Sequence, residues 1–308
     1  MYTIVATIFN DEKYLKNFIE NLLSQTVLPN EIIIADGGSK DNSVNVIKQY
    51  ADNSIVPIRI LSGQRLNISQ GLNLAIKNSC TELIGVAAIG NIYPADFYEK
   101  LLINLENNKA DVSYPTVCGT GSTDFSKMYI EYVISPKGYE AKTGINHGCI
   151  LKKSIFENSG YFYEGFYYAG EDAEFSLRIR SEGYKMSHAN VELLWKTPQS
   201  WREYRKFVRV RTIGAMQVYK NINVLKTNKC TIVEFLICIL SIISGFYSCY
   251  FFLIALATIL IIELERLYRY KFSLSRYKLH KFESLLSFYT IITNSRFLLR
   301  KNKICNPF

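Results

Sequence analysis

The feature that most constrains the fold is a strand–turn–helix unit that recurs along the N-terminal part of the chain. Tyr2 to Phe9 is β-branched and apolar, the pattern of a short buried strand. Glu12 to Leu23 follows with Leu15, Phe18, Ile19, Leu22 and Leu23 at helical spacing. Glu31 to Ala35 repeats the strand signal and is stopped by Asp36-Gly37-Gly38-Ser39, after which Asp41 or Asn42 can cap a helix through Tyr50. Ile58 to Leu61 reads as a third strand, Gln70 to Lys77 as a helix, and Leu83 to Ala88 as a fourth strand. Alternation of this kind predicts an α/β domain with a Rossmann-like, doubly wound, mostly parallel sheet. Ligands of such sheets sit at the carboxyl ends of the strands, where the polar residues fall here.

A chain of 308 residues suits one core of roughly 200 residues plus an appendage. From Ile92 to Asn190 strand and helix signals are interrupted by polar, Gly-containing stretches, Cys118 to Thr123 and Lys142 to Gly148, and loops of that length are commonly functional or disordered. The run from Phe235 to Ile262 then contains no charged residue, which is compatible with a membrane. Basic residues flank it on both sides, Arg202 to Lys229 before and Arg266 to Lys281 after, and this symmetry favours both ends on the cytoplasmic side. Ser244-Gly245 near its middle divides the run into limbs of about 14 residues, each about 21 Å long against a hydrocarbon core of roughly 30 Å. The expectation is a domain over 1–220 and a membrane-associated helical region over 221–308. The latter comprises an apolar hairpin or span at about 231–262 and an interfacial helix at 282–299. A buried soluble hairpin is the alternative.

Seven scattered cysteines without a C-x-x-C pair argue against a zinc site and a disulfide framework, and fit a reducing compartment. The first residues lack the basic n-region and small-residue cleavage site of a secretory signal, so the bulk of the chain is expected inside the cell. The net charge of +9 would suit nucleic acid, an anionic membrane or a phosphorylated ligand. Arg202 to Arg211 alternate with Tyr204, Phe207 and Val208, and the apolar run behind them makes a membrane surface, not nucleic acid, their expected partner.

Three constellations carry chemistry. In Val5-Ala6-Thr7-Ile8-Phe9-Asn10-Asp11 a strand opens into a turn with mixed donors and acceptors and with Phe9 able to cover a flat ligand; a plain strand-to-helix turn capped by Asn10 explains the same residues. In Ile34-Ala35-Asp36-Gly37-Gly38-Ser39 a carboxylate ends a strand beside glycines that admit close backbone approach; an Asx-turn explains the same residues. In Gly170-Glu171-Asp172-Ala173-Glu174 acidic residues begin a helix, as capping would also require. A carboxylate positioned there can serve as a general base.

Over about the first 215 residues these motifs resemble those of inverting family-2 glycosyltransferases of the GT-A type. Ser69-Gln70-Gly71-Leu72-Asn73, Ile92-Tyr93-Pro94-Ala95-Asp96 and Gln199-Ser200-Trp201 are similar to the succinoglycan-type exopolysaccharide transferases. The resemblance implies Asp172 as the catalytic base, with Arg178 one and a half turns later supporting it. It implies Thr7, Phe9, Asp11, Asp36, Arg65, Asn73 and Asn91 on the sugar-donor side, and His147 and Glu171 on the acceptor side. The partners implied are a nucleotide-diphosphate sugar, a lipid-linked glycan of surface-polysaccharide assembly and the cytoplasmic membrane. The family also implies Mg²⁺ or Mn²⁺ held by an Asp-x-Asp turn, yet the aligned stretch reads Ala87-Ala88-Ile89-Gly90-Asn91, without a carboxylate. Three readings follow: Asn91 with waters and phosphates holds a metal, a cation such as Arg65 replaces it, or the chain is a catalytically silent relative that binds a partner transferase or glycan.

Overall fold

Strand β1 (Tyr2–Ile8) divides its side chains between two cores. Ile4, Ala6 and Ile8 join Leu15, Phe18, Ile19 and Leu22 of helix α1 (Glu12–Leu23) on one face, while Val5 joins Leu72, Ala75 and Ile76 of α3 (Ile68–Asn78) on the other. A strand covered on both faces has no solvent side, and for that reason it reads as an unbroken apolar run. The computed structural model describes residues 1–141, 145–166, 169–218, 257, 259–265, 267–268 and 274–293.

Strands β2 (Glu31–Asp36), β3 (Ile58–Leu61) and β4 (Leu83–Ala87) continue the alternation, with α2 (Ser43–Asn53) between β2 and β3. Among the described residues the sheet runs β3-β2-β1-β4-β8-β6-β9-β5, with β7 beside β6. The further strands are β5 (Asn91–Ile92), β6 (Val112–Thr120), β7 (Tyr139–Glu140), β8 (Gly148–Lys152) and β9 (Met186–Lys196). The first four strands are parallel, as the sequence predicts. The remainder corrects the expectation of a mostly parallel sheet: β8 is antiparallel to both β4 and β6, β9 runs parallel to β6, and β5 and β7 pair antiparallel at the margins. Pro115 interrupts β6 where the β6–β9 register shifts between Tyr114 and Thr116, since proline has no N–H to give the ladder. Two reversals, at β8 and back at β6, leave β9 pointing the same way as β1 and β4. The carboxyl ends of β1, β2, β4 and β9 therefore share one edge. Helices α4 (Phe97–Asn107), α6 (Ser154–Ser159) and α7 (Glu171–Ser181) complete this unit.

The chain divides into two compact units, the first comprising Met1–Ser122 and Val133–Thr197, the second Thr123–Tyr132 and the described residues from Pro198 on. In the second, α5 (Asp124–Tyr129), α8 (Trp201–Val218) and α9 (Leu274–Thr293) meet through Phe125, Tyr129, Trp201, Tyr204 and Phe282. The Tyr204 hydroxyl donates to Glu283 at 2.7 Å, and Arg211 pairs with the same carboxylate. Among the described residues no helix is long and apolar enough to cross a membrane. Most of the run at 231–262 lies outside the described residues, as does the part of 282–299 beyond Thr293; the preceding part is helix α9.

Candidate active site

The ends of β1 and β2 are tied into one scaffold by their own motif residues. Asn10 adopts a positive φ of 56°, a conformation asparagine tolerates better than most residues. From there its Oδ1 accepts from the Lys40 N–H at 2.8 Å, and its own N–H donates to Ser39 Oγ at 2.9 Å. The Asp11 N–H donates to Ser43 Oγ and the Glu12 N–H to Asp41 Oδ2, both at 3.1 Å, while Gly37 N–H reaches back to the Ile8 carbonyl at 2.8 Å. Asp36, 3 % exposed, accepts from the Ser39 N–H through both carboxylate oxygens at 3.0 and 3.2 Å. The Asx-turn is thus what its carboxylate does here.

Beside this scaffold opens a cavity of about 330 Å³, lined by Thr7 near the end of β1, Phe9 and Asp11 after it, Gly37 after β2, Asn67 and Gly71 at the start of α3, Ala88 and Ile89 after β4, and Glu171 at the start of α7. It is mostly apolar with a few converging polar groups, the usual composition of a small-molecule site. Phe9 is 55 % exposed at its edge. The Asp11 carboxylate accepts from the Phe9 N–H at 2.9 Å. Burial raises its pKa, the Phe9 hydrogen bond opposes that, and the charge of Asp41 adds to it.

Gly71 sets the depth of the cavity. A Cβ there would lie 2.6 Å from Thr7 Cγ2 and 3.4 Å from Ala35 Cβ, so only glycine lets α3 approach β1 this closely. Gly71→Ala is expected to destabilise the protein by about 1–3 kcal/mol through overpacking and to displace Thr7. A denaturant midpoint and nucleotide affinity measured on the same sample would show both effects.

Asn67 was not singled out from sequence, although Asn67-x-x-Gln70 is a capping-box signature. Its side chain accepts from the Gln70 N–H and donates to the Glu164 carbonyl, fixing the start of α3 at the cavity. Asn73, expected on the sugar-donor side, is elsewhere: it is 2 % exposed, and its amide bridges Phe162 and Glu164 without lining the cavity. Arg65 is exposed on the loop before α3 and is not a lining residue; its backbone packs beside Gly38.

The turn after β4 is closed on itself. The Asn91 N–H donates to the Ala88 carbonyl at 3.3 Å, and the Ala88 N–H donates to the Tyr93 hydroxyl at 2.9 Å. That hydroxyl donates in turn to the His147 carbonyl at 2.8 Å. Asn91, 5 % exposed, donates its side-chain N–H to the same carbonyl at 2.7 Å. A hard divalent cation prefers charged oxygen ligands. Between Ala87 and Asn91 there is no carboxylate, and among the described residues no group of three His, Cys, Asp or Glu could hold a metal. The residues present do not fit the metal that the motif comparison implies. The His147 ring lies 5.7 Å from Trp195, and burial pushes its pKa down to about 4, so it is neutral at pH 7.

Helix α7 brings the acidic pair to this edge. Gly170, at φ 111°, turns the chain into the helix, and Glu171, 6 % exposed, lines the cavity. Asp172 Oδ1 accepts from the Ala173 N–H at 2.8 Å, and burial pushes its pKa up to about 6 against that bond. Arg178 does not support Asp172, as the motif comparison implies; it binds both oxygens of Glu174 at 2.9 and 3.1 Å and the carbonyls of Ser159, Gly160 and Tyr161. Glu174 lies one turn before Arg178 on the same helix face, and four residues is the spacing at which such side chains meet.

Residues 3–163 match the model of the family described as glycosyl transferase family 2. The chain belongs to that family. It is a glycosyltransferase, and its sheet, with β8 reversed against β4, is the GT-A fold in mixed form. One relative is the dolichyl N-acetyl-alpha-D-glucosaminyl phosphate 3-beta-D-2,3-diacetamido-2,3-dideoxy-beta-D-glucuronosyltransferase of Methanococcus voltae. It is 23 % identical over 225 residues, covering 66 % of this glycosyltransferase and 69 % of that one. The succinoglycan biosynthesis protein ExoA of Rhizobium meliloti is 25 % identical over 197 residues, 59 % of each chain. Among solved structures, the mannosyltransferase PcManGT from Pyrobaculum calidifontis, in complex with GDP-Man and Mn²⁺, superposes with a TM-score of 0.59. That match has 14 % identity and covers 98 % of this chain and 88 % of that one. At such identity the likeness is one of fold.

Proposed function

We propose that the protein transfers a sugar, with inversion, from a nucleotide-diphosphate donor to a lipid-linked glycan of surface-polysaccharide assembly, at the cytoplasmic face of a membrane. The observation that carries the reading is the meeting of the cavity after β1 with the start of α7, where Glu171 lines the cavity and the desolvated Asp172 follows it. In this reading Thr7, Phe9 and Asp11 take the nucleoside, Glu171 and His147 shape the acceptor side, and Asp172 removes the proton of the acceptor hydroxyl. A carboxylate whose pKa lies close to the working pH accepts that proton most effectively. The lipid-linked acceptor is supported by the dolichyl-phosphate substrate named for the Methanococcus voltae relative, and polysaccharide assembly by the name of ExoA. The basic residues of α8 and the uncharged run after it support the membrane face.

The test uses membranes carrying the protein, a panel of nucleotide sugars and a lipid-linked glycan acceptor. Release of nucleoside diphosphate that depends on the acceptor is the expected result. Measurable nucleotide binding without turnover of any sugar donor would replace this reading by that of a silent relative serving a partner transferase.

A further inference from the structure

The turn that carries metal-binding carboxylates in the motif comparison reads Ala88-Ile89-Gly90 here, yet a diphosphate leaving there still needs positive charge beside it. Strand β9 supplies a cation at that turn. Asn91 pairs with Trp195 and Ile92 with Leu194 in the antiparallel β5–β9 ladder. The register therefore sets Gly90 opposite Lys196, the last residue of β9. From this position Lys196 reaches across to the first turn of α1, where its Nζ lies 5.3 Å from the centre of the Tyr14 ring. Lys13 Nζ lies 4.6 Å from the same ring. The Tyr14 N–H donates at 2.8 Å to the carbonyl of Asp11; Asp11, Ala88 and Ile89 line the cavity, and Tyr14 with its two lysines stands just outside that lining. Both ammonium groups lower the pKa of the Tyr14 hydroxyl, the hydrogen bond from Lys13 acting most strongly and desolvation opposing it.

Two ammonium groups on one ring gain cation–π attraction but repel each other. Among the described residues Lys196 makes no ion pair with a carboxylate. The Asp11 carboxylate already faces Lys13, and an anion arriving between the Gly90 turn and Tyr14 would be drawn chiefly by Lys196. We propose that Lys196, assisted by Lys13 and oriented by Tyr14, binds the diphosphate of the sugar donor in the place of a divalent metal.

This rests on the reading of the protein as a nucleotide-sugar transferase. In the transfer the acceptor oxygen forms its bond to the anomeric carbon and its proton passes to Asp172. The bond from that carbon to the phosphate oxygen breaks with its electron pair, and Lys196 faces the charge so released.

The experiment measures binding of UDP and GDP, and of uridine and guanosine, to the purified full chain in EDTA, with Lys196→Met and Lys196→Arg beside the wild type. Wild type should bind one of the diphosphates more tightly than its nucleoside without any metal. Lys196→Met should lose roughly 10- to 100-fold of diphosphate affinity, the range of a hydrogen bond to a charged group. Its nucleoside affinity and melting temperature should not change, and Lys196→Arg should recover most of the loss. Equal diphosphate affinity in wild type and Lys196→Met, or a diphosphate preference that appears only on adding Mn²⁺, would overturn the proposal. Failure of the wild type to bind any nucleoside or diphosphate, with or without Mn²⁺, would instead overturn the nucleotide-sugar reading and this proposal with it.

Discussion

Asp172→Asn is expected to lower the rate of sugar transfer by about 10²–10⁴-fold, the usual contribution of a general base, while leaving nucleotide affinity unchanged. The amide keeps the shape of the carboxylate and can still accept from the Ala173 N–H, but it cannot take a proton. Because burial pushes the Asp172 pKa up to about 6, the wild-type kcat should fall as pH drops through about 6, and that acid limb should vanish from the residual activity of the variant. The stability change has the opposite sign. A carboxyl whose pKa is raised on folding binds more protons folded than unfolded between its ordinary value and about 6, so stability falls as pH rises through that window. Asp172→Asn should therefore melt no lower than wild type at pH 7, which separates loss of chemistry from loss of fold. If Glu171→Gln removed the acid limb while Asp172→Asn left it intact, the role would pass to the neighbouring carboxylate.

The first four strands and three helices were legible because β1, β2 and β4 are buried on both faces, with β3 as the half-exposed edge. Ile32 to Ile34 are all buried, so the sequence there is apolar without interruption. In β9 buried and exposed positions alternate from Ala189 to Leu194, and β6 contains Pro115. Neither looks like the strands before it, and their antiparallel partners are set by contacts far away in sequence. The site was legible where one segment makes it. Thr7, Phe9 and Asp11 line the cavity, and Glu171 and Asp172 begin a helix, as their local patterns suggest. Asp36 and Asn73 show the limit of motif matching: Asp36 ends β2 and Asn73 lies within α3, and both satisfy backbone groups next to the cavity without lining it. Lys196 could not be found by pattern at all. It meets Tyr14 only because two reversals in the sheet bring the end of β9 to the edge where β1 ends.

The largest effect on stability is expected at Arg178, whose guanidinium ties α7 to the segment after α6. Its side chain and that of Glu174 are only 13 % and 9 % exposed, and it serves three backbone carbonyls besides. Arg178→Ala would leave a buried carboxylate without its counter-charge and those carbonyls without their donor, a loss of about 3–5 kcal/mol. Arg178→Lys should recover only part of this, because an ammonium cannot reproduce the planar fork that engages Glu174 with two parallel bonds. Replacing both partners by apolar residues of similar volume, Glu174→Leu with Arg178→Met, should cost much less than Arg178→Ala alone, since the unpaired charge is the costly element. Urea midpoints of these variants decide the matter: equal destabilisation by Arg178→Ala and by the double variant would mean that packing against Phe175, whose ring lies 5.1 Å from the guanidinium carbon, outweighs the charge pair. Because the same helix begins with Glu171 and Asp172, Arg178→Lys should also lower kcat under conditions where it remains folded, without moving the acid limb near pH 6. Arg178 is in this sense a positioning residue, holding the helix on which the proposed base stands.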